Sequence, residues 1–243
     1  MPEGPSLVMF KEDTVRFIGK KVLEATGNSK IDMDRIAGQK IIDIKTWGKH
    51  FLICFKDFTL RVHFLMFGVY YINERKDKQL RLSLRFKDDE WNFYTTAVKW
   101  IEEPLDEIYD WSADVMSDSW DAAKARNKLK AAPDMLVCDA LLDQQIFSGV
   151  GNIIKNEVLY RIKVHPLSTI GALPPKKLSE LIKEARVYTF EFLEWKRQYV
   201  LRKHWLANAQ KTCKRCNLPF HKDYLGAGKR RTFYCENCQI LYK

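Results

Sequence analysis

The chain has 243 residues, 46% of them hydrophobic, and a formal net charge of +10. This length suits one large or two small domains, and the composition is that of a packed soluble protein. No run of about 18 apolar residues exists, so we expect no membrane span. No basic segment precedes an apolar one at the start, so we expect no secretory signal. A cytoplasmic location is therefore expected.

The excess of positive charge is concentrated near one end of the sequence. Residues 196–243 contain twelve Lys or Arg and two acidic residues, whereas residues 1–195 are balanced. Such concentration favours a surface that binds a polyanion, and nucleic acid is the foremost partner of this kind. The alternative is a solvated basic tail.

The first part of the chain combines one helix with short β-type segments. Apolar positions at helical spacing predict a helix over residues 6–20, with Ser6 as its N-cap. Runs rich in β-branched and aromatic residues follow at spacings near ten residues, which is typical of an antiparallel sandwich or barrel. The predicted strands are 39–46, 50–55, 58–64, 68–73, 80–86 and 90–95.

From about residue 118 the pattern becomes helical. We predict a helix over 119–131 capped by Ser119 and another over 134–147 capped by Asp134. Two further helices are predicted over 152–162 and 176–198. The natural boundary between strands and helices therefore lies near 110–120.

Four of the six cysteines form two CxxC pairs, Cys213 with Cys216 and Cys235 with Cys238, separated by eighteen residues. This spacing is typical of one structural Zn²⁺ held by four thiolates. The intervening segment, with Gly226 at its centre, predicts a β-hairpin. The alternative, two disulfides in a small secreted domain, does not suit a chain without an export signal. Cys54 and Cys138, in apolar surroundings, are interpreted as buried thiols.

Three separated motifs together resemble one known family. They are Pro2-Glu3-Gly4-Pro5, then Leu141–Gln145 followed by Gly149-Val150-Gly151-Asn152, and finally the four-cysteine segment with Lys229–Tyr234 before Cys235. In this order they resemble the formamidopyrimidine-DNA glycosylase / endonuclease VIII family of bacterial base-excision enzymes. The resemblance implies an α+β multidomain fold. The expected domains are an N-terminal helix with an antiparallel β-sandwich (1–115), a helix-two-turn-helix domain (116–205) and a zinc finger (206–243).

The resemblance also implies a catalytic group at the start of the chain. Removal of Met1 would leave Pro2 with a free secondary amine, the expected nucleophile. Glu3 would then be the acid that moves protons at the sugar, and Lys49 would stabilise charge beside the damaged nucleotide. From the residues alone, other interpretations are open. Pro2 could merely rigidify the chain, Glu3 could be a surface acid, and Lys49 could be a solvated loop lysine.

A second group is implied to bind DNA. Asn152 and Arg230 correspond to the family's phosphate-binding residues, Glu157 matches an acid near its active site, and Arg231 is an adjacent cation that could exchange roles with Arg230. Met66, with Leu65 or Phe67, matches the loop that fills the space left by a flipped nucleotide. The alternatives are a simple helix cap for Asn152, an exposed helix acid for Glu157 and a buried strand end for the Met66 segment.

Two departures from the family pattern bear on the substrate. Ser6 stands where the family usually has glutamate. Residues 94–100 also lack the arginine and phenylalanine that the formamidopyrimidine branch inserts into DNA. The expected activity is therefore excision of oxidised bases, pyrimidines over purines, with β,δ-elimination at abasic sites in duplex DNA, by a monomer. The alternatives are a catalytically inactive damaged-DNA-binding protein of the same fold and a zinc-ribbon module unrelated to repair.

Overall fold

A computed structural model describes residues 2–243 of the chain; the predicted removal of Met1 lies outside the described residues. The chain forms two compact units, one ending at Tyr109 and the other beginning at Asp110. The cysteine-rich segment belongs to the second unit. The domain limits predicted at 115/116 and 205/206 stay predictions.

The first unit begins with helix α1, Gly4–Thr14, extended by a 3-10 turn over Val15–Phe17. Helix α1 starts two residues before the predicted start, and its N-cap is Glu3 instead of Ser6. Proline explains the shift, since Pro5 lies in the first turn, where a fixed φ and a missing N–H suit the helix. The stacked rings of Phe17 and Trp91, with centroids 5.0 Å apart, anchor the end of this segment on the sheet.

The strands of the first unit form one six-stranded antiparallel sheet with the order β1-β5-β6-β4-β3-β2. Their bounds are Glu24–Thr26 (β1), Asp43–Trp47 (β2), His50–Cys54 (β3), Thr59–Ile72 (β4), Leu80–Arg85 (β5) and Glu90–Ile101 (β6). Helix α1 and all six strands contribute buried apolar side chains to one core. The predicted N-terminal helix with an antiparallel β-fold is thus confirmed.

Strand β4 differs from the prediction, because the segments 58–64 and 68–73 are one strand. The pairing of β4 with β6 shifts register between Phe64 and Val69, so the intervening residues form an irregular bulge. Gly68 permits the bulge: a Cβ there would lie 2.8 Å from Phe64 Cα and 2.8 Å from Thr95 O, both of them backbone atoms. The sequence-based expectation of two strands failed because a bulge interrupts alternation without ending the strand.

The short helix α2, Leu105–Ile108, lies at the end of the first unit. The second unit contains four helices in the described chain, and they share one apolar core. They are α3, Ala122–Lys130, α4, Val137–Ala140, α5, Asn152–Arg161, and α6, Pro175–Arg197, with 3-10 turns over Trp111–Ala113 and Leu201–His204. None of the helices in residues 2–243 is long and apolar enough to cross a bilayer.

Two helix predictions in this unit need correction. The N-cap of α3 is Asp121, whose carboxylate accepts from Ala123 N and Lys124 N, and not Ser119. The helix predicted over 134–147 is wrong, since only the single turn α4 is helical. After α4, the Gln144 side-chain nitrogen donates to the carbonyls of Leu142 and Val150, and its oxygen accepts from Gly149 N. The Gln144 side chain therefore makes hydrogen bonds that backbone groups would make in a helix.

The cysteine-rich segment contains the predicted β-hairpin. Strand β7, His221–Leu225, pairs antiparallel with β8, Arg230–Tyr234, and Gly226, at the start of the connecting turn, has φ +75°. We call residues 206–243 the finger.

Prediction for the bulge: Gly68→Ala should lower the free energy of unfolding by about 1–3 kcal/mol, because the added methyl group meets backbone atoms that cannot rotate away. Phe67→Ala is the matched control. Its side chain is exposed on the same bulge, so its change should stay within about 0.5 kcal/mol. Urea unfolding of both variants tests this, and a larger loss in Phe67→Ala would contradict it.

Candidate active site, nucleic-acid interface and metal centre

Pro2 and Glu3 lie immediately before α1. Pro2 is half-buried, and Glu3, the N-cap residue, is only 4% exposed. The backbone carbonyl of Glu3 accepts from Ser6 N at 2.8 Å, which fixes the first turn. Ser6, at the position where the family usually has glutamate, is buried too. Glu3 is thus an acid held inside the unit next to Pro2, which does not fit the alternative of an ordinary surface acid.

Lys49 lies in the two-residue turn that joins β2 to β3. Trp47 pairs with His50 across this turn, and Gly48 has φ +53°. Glycine at the first central position is the residue that such tight hairpins require. Lys49 is half-buried there, so the solvated-loop alternative does not describe it.

Lys49 belongs to a cluster of basic side chains. Burial and, to a smaller extent, the nearby charges of Arg61, His63 and Lys49 together lower the pKa of His50 to about 4. His50 Nδ1 lies 3.1 Å from the Tyr109 hydroxyl. Around neutral pH His50 is therefore uncharged, and the positive charge at this turn resides on Lys49 and Arg61.

Leu65, Met66 and Phe67, which were predicted to fill the space left by a flipped nucleotide, lie on the β4 bulge and point away from the core. The exposed fraction is 40% for Leu65, 58% for Met66 and 77% for Phe67. The alternative of a buried strand end is therefore wrong. Three consecutive apolar side chains exposed on a rigid strand are unusual unless they bind something.

In the second unit, α5 begins at Asn152 directly after a glycine-containing turn. Gly149 has φ +96°, and the N-cap is Gly151, not Asn152. The Asn152 amide nitrogen donates to the backbone carbonyl of Arg231 at 2.8 Å, and Asn152 Oδ1 accepts from Lys155 Nζ at 3.0 Å. Asn152 therefore joins the start of α5 to the finger.

Glu157 has a different place from the one predicted. It is 0% exposed, and its carboxylate accepts backbone N–H groups of Leu206, Ala207 and Asn208 at 2.7–2.9 Å. Burial raises the pKa of Glu157, whereas the three donated N–H groups oppose that rise. A carboxylate with no exposed surface does not contact DNA, so the predicted direct role is corrected to one of positioning the chain that leads into the finger.

Arg230 and Arg231 lie on opposite faces of the hairpin. Thr232, on the same face as Arg230, is buried and its Oγ1 accepts from Lys155 Nζ at 2.7 Å. Arg231 lies on the other face, with its guanidinium carbon 5.6 Å from the centre of the Phe233 ring. The two arginines are therefore placed on different sides of the hairpin, and which of them binds a phosphate stays a prediction.

The four finger cysteines lie close enough to hold one ion. Their sulfur atoms all lie within 4.8 Å of one another, and Cys213 Sγ and Cys238 Sγ are 3.8 Å apart. A tetrahedral ion with bonds of about 2.3 Å would separate its sulfurs by about 3.8 Å. Neighbouring groups support the cluster, since the Asn237 amide donates to Cys216 Sγ at 3.2 Å and the Tyr160 hydroxyl lies 3.4 Å from Cys213 Sγ. The donor set fits a metal ion.

Two residues that contact the finger were not predicted from the sequence. Lys155 is fully buried within α5, and the carboxylate of Asp139 accepts from Ala227 N at the tip of the finger hairpin, 3.1 Å from each oxygen. Lys155 had no local signal, because α5 carries other polar residues, among them Asn156 and Glu157, and a lysine in such a helix is usually exposed. Asp139 had none, since its partner lies 88 residues away.

Two sequence models match the chain. Residues 1–97 match the formamidopyrimidine-DNA glycosylase N-terminal domain, and residues 112–194 match the formamidopyrimidine-DNA glycosylase H2TH domain. Together the two matches cover most of the chain.

Similar proteins carry related names. Endonuclease 8-like 3 of Xenopus laevis is 30% identical over 231 residues, which are 90% of this chain and 38% of that protein. The formamidopyrimidine-DNA glycosylase of Lactobacillus helveticus (strain DPC 4571) is 27% identical over the full length of both chains. The chain spans less than two fifths of the length of the endonuclease 8-like 3 relatives.

Solved structures share the fold at low sequence identity. A viral DNA glycosylase superposes with a TM-score of 0.86 at 16% identity, over 98% of this chain and all of the other. Lactococcus lactis formamidopyrimidine-DNA glycosylase, non-covalently bound to DNA containing an AP site, gives 0.85 at 20% identity over 98% and 99%. These likenesses confirm the predicted fold class.

Prediction for the hairpin tip: Gly226→Ala should reduce the unfolding free energy by on the order of 1–3 kcal/mol. The residue has φ +75°, and an added Cβ would lie 2.2 Å from Asp139 Oδ1. In the control Gly228→Ala the nearest atom is Arg230 Cγ at 3.4 Å, so a change within about 0.5 kcal/mol is expected. Equal losses in the two metal-loaded variants, measured by chemical denaturation, would disprove the close contact.

Prediction for pH: because the pKa of His50 falls from 6.5 in the unfolded chain to about 4, the folded state favours the neutral ring. The stability from burying it is complete above about pH 6.5 and is lost as the pH falls toward 4. Between pH 7 and 4.5, His50→Gln should therefore lose less stability than the wild type. The exposed His221 is the control, and His221→Gln should follow the wild type; a His50→Gln curve parallel to the wild type would refute the assignment.

Proposed function

Because the chain belongs to the formamidopyrimidine-DNA glycosylase / endonuclease VIII family, we propose that it is a base-excision-repair DNA glycosylase with AP-lyase activity and that Pro2 is its nucleophile. One observation carries the proposal: Glu3, next to Pro2 in the family motif, is a buried N-cap residue. A protein that only binds DNA has no use for an acid held inside the unit beside a potential amine.

The proposed chemistry begins at the sugar. With Met1 removed, the secondary amine of Pro2 has a pKa near the α-amino value of about 8, so part of it is neutral at cellular pH. Its nitrogen forms a bond to C1′ as the bond from C1′ to the base breaks and the base leaves with a proton. Glu3 donates a proton to the ring oxygen as the sugar opens, which leaves an iminium ion between Pro2 and C1′.

Strand cleavage then follows from the iminium ion. The cation withdraws electrons, so a proton leaves C2′ and the bond to the 3′ phosphate breaks by β-elimination. A second, δ-elimination releases the 5′ phosphate, and water hydrolyses the iminium to return the free amine. Lys49 stabilises the negative charge of the adjacent phosphate from its turn.

The proposed partner is duplex DNA that contains a damaged base or an abasic site. Asn152 and Arg230 would contact phosphates near the flipped nucleotide, and Arg231 would bind a phosphate from the other face of the hairpin. Met66, flanked by Leu65 and Phe67, would fill the space left in the stack, which their exposure on the bulge supports. The basic finger would be held by Zn²⁺, the ion that four thiolates of this spacing prefer.

The proposed lesion class is oxidised pyrimidines in preference to purines. Support comes from residues 94–100, which lie within strand β6 and leave no loop there for the arginine and phenylalanine of the formamidopyrimidine branch. Two alternatives were open. A zinc-ribbon module unrelated to repair does not fit this family. A catalytically inactive damage-binding protein does, and only a test of chemistry separates it from the enzyme.

Prediction for the chemistry: borohydride should trap wild-type protein on a duplex with one abasic site. A variant with one alanine retained ahead of Pro2 should give no adduct, because its proline nitrogen is an amide. Pro2→Gly should suppress strand cleavage, and Glu3→Gln should slow base release by about 10²–10⁴-fold.

The control is binding of the same variants to a duplex with a tetrahydrofuran abasic analogue. All of them should bind within a few-fold of wild type, since none loses a phosphate contact. Full trapping of the extended variant would exclude Pro2 as nucleophile. The absence of any adduct with wild-type protein on every damaged duplex would favour the inactive binder.

A further inference from the structure

Lys155 is a buried lysine in the second turn of α5, with 0% of its surface exposed. Its helix neighbours Ile154, Val158 and Leu159 are buried apolar residues. Removing an ammonium group from water is costly in free energy unless hydrogen bonds compensate for it. A lysine at this position therefore has a cost in stability that a methionine of similar length would avoid.

The ammonium group of Lys155 joins helix α5 to strand β8. It donates to Asn152 Oδ1 at 3.0 Å and to Thr232 Oγ1 at 2.7 Å. Thr232 Oγ1 in turn donates to the backbone carbonyl of Arg230 at 2.8 Å, and the Asn152 amide nitrogen donates to the carbonyl of Arg231 at 2.8 Å. Two short chains of hydrogen bonds thus connect one buried cation to the backbone of Arg230 and Arg231.

The chemistry of lysine also determines which way the Asn152 amide points. An ammonium group only donates, so the side of the amide that faces it must be the oxygen. The NH₂ group then faces the finger, with one hydrogen on Arg231 O and a second one available to an acceptor. A neutral apolar residue at position 155 would leave only the contact with Arg231 O to select this orientation, and it would remove the charge that polarises the amide and makes its N–H groups stronger donors.

We propose that Lys155 is a positioning residue for DNA binding: it fixes the orientation of the Asn152 amide and the backbone of Arg230 and Arg231 before DNA arrives. This inference rests on the proposed function, in which Asn152 and Arg230 contact phosphates. Lys155 itself, being fully buried, touches no phosphate.

The test is a double-mutant cycle on affinity for a duplex with a tetrahydrofuran abasic analogue, measured by fluorescence anisotropy. Lys155→Met and Asn152→Ala should each weaken binding about tenfold, since each removes a hydrogen bond strengthened by charge. The double variant should lose clearly less than the product of about a hundredfold, because the two side chains act through one contact. Lys177→Met is the control and should bind as wild type, because Lys177, on α6, donates to the carbonyl of Ile162 at the C-terminal end of α5 and not to this network.

Salt dependence separates positioning from direct contact. The slope of log Kd against log salt should be unchanged in Lys155→Met and should fall by about one in Arg230→Ala, which loses a phosphate contact. A slope that falls in Lys155→Met would mean that the lysine pairs with a phosphate, and would overturn the inference. The inference would also be overturned if the affinity losses of the two single variants multiply fully in the double variant, or if Lys155→Met binds with wild-type affinity.

Failure of the inference and failure of the proposed function are distinguishable. If Asn152→Ala weakens binding and Lys155→Met does not, only the inference fails. If Asn152→Ala binds as wild type, the proposed phosphate contact fails and the inference falls with it. Should Lys155→Met not fold, Thr232→Val keeps the side-chain shape and removes one acceptor of the ammonium, and it should weaken binding several-fold; unchanged affinity would overturn the inference.

Discussion

A buried polar contact between helix α5 and the finger is the constraint on which the second unit depends. Glu157 binds three backbone N–H groups at residues 206–208, and Lys155 and Asn152 bind strand β8. Each of these groups would be costly to bury without its partner, so the loss of any one contact should weaken the attachment of the finger to α5. These contacts hold the finger to α5 at two places: at residues 206–208, where the finger begins, and at strand β8, which carries Arg230 and Arg231. None of these contacts involves the four cysteines.

This arrangement gives the basic residues of the finger a defined direction. Alternation along β8 places Arg230 on the face toward α5 and Arg231 on the other. In the first unit, the β4 bulge likewise gives Met66 a defined direction. The close backbone contact at Gly68 keeps three apolar side chains outside the core. In both cases the side chains proposed to contact DNA are carried by backbone that is hydrogen-bonded within a sheet, which reduces the ordering that binding would otherwise require.

Local patterns in the sequence predict what local forces determine. Helices α5 and α6, the finger hairpin and the cysteine cluster follow from periodicity, turn residues and ligand spacing, and they are confirmed. The helix predicted over 134–147 failed because Gln144 bonds backbone across its own turn. The roles of Glu157 and Lys155 depend on partners 49 to 77 residues distant, which no local pattern reveals.

Hydrogen exchange of the backbone amides at Leu206, Ala207 and Asn208 tests most directly whether this contact is preformed. In the free, metal-loaded protein, without DNA, we expect these amides to exchange as slowly as those of the core, and Glu157→Gln to accelerate them strongly. Exchange in the free protein at the rate of an unstructured peptide, with protection only after DNA is added, would contradict a preformed finger and assign its order to DNA binding.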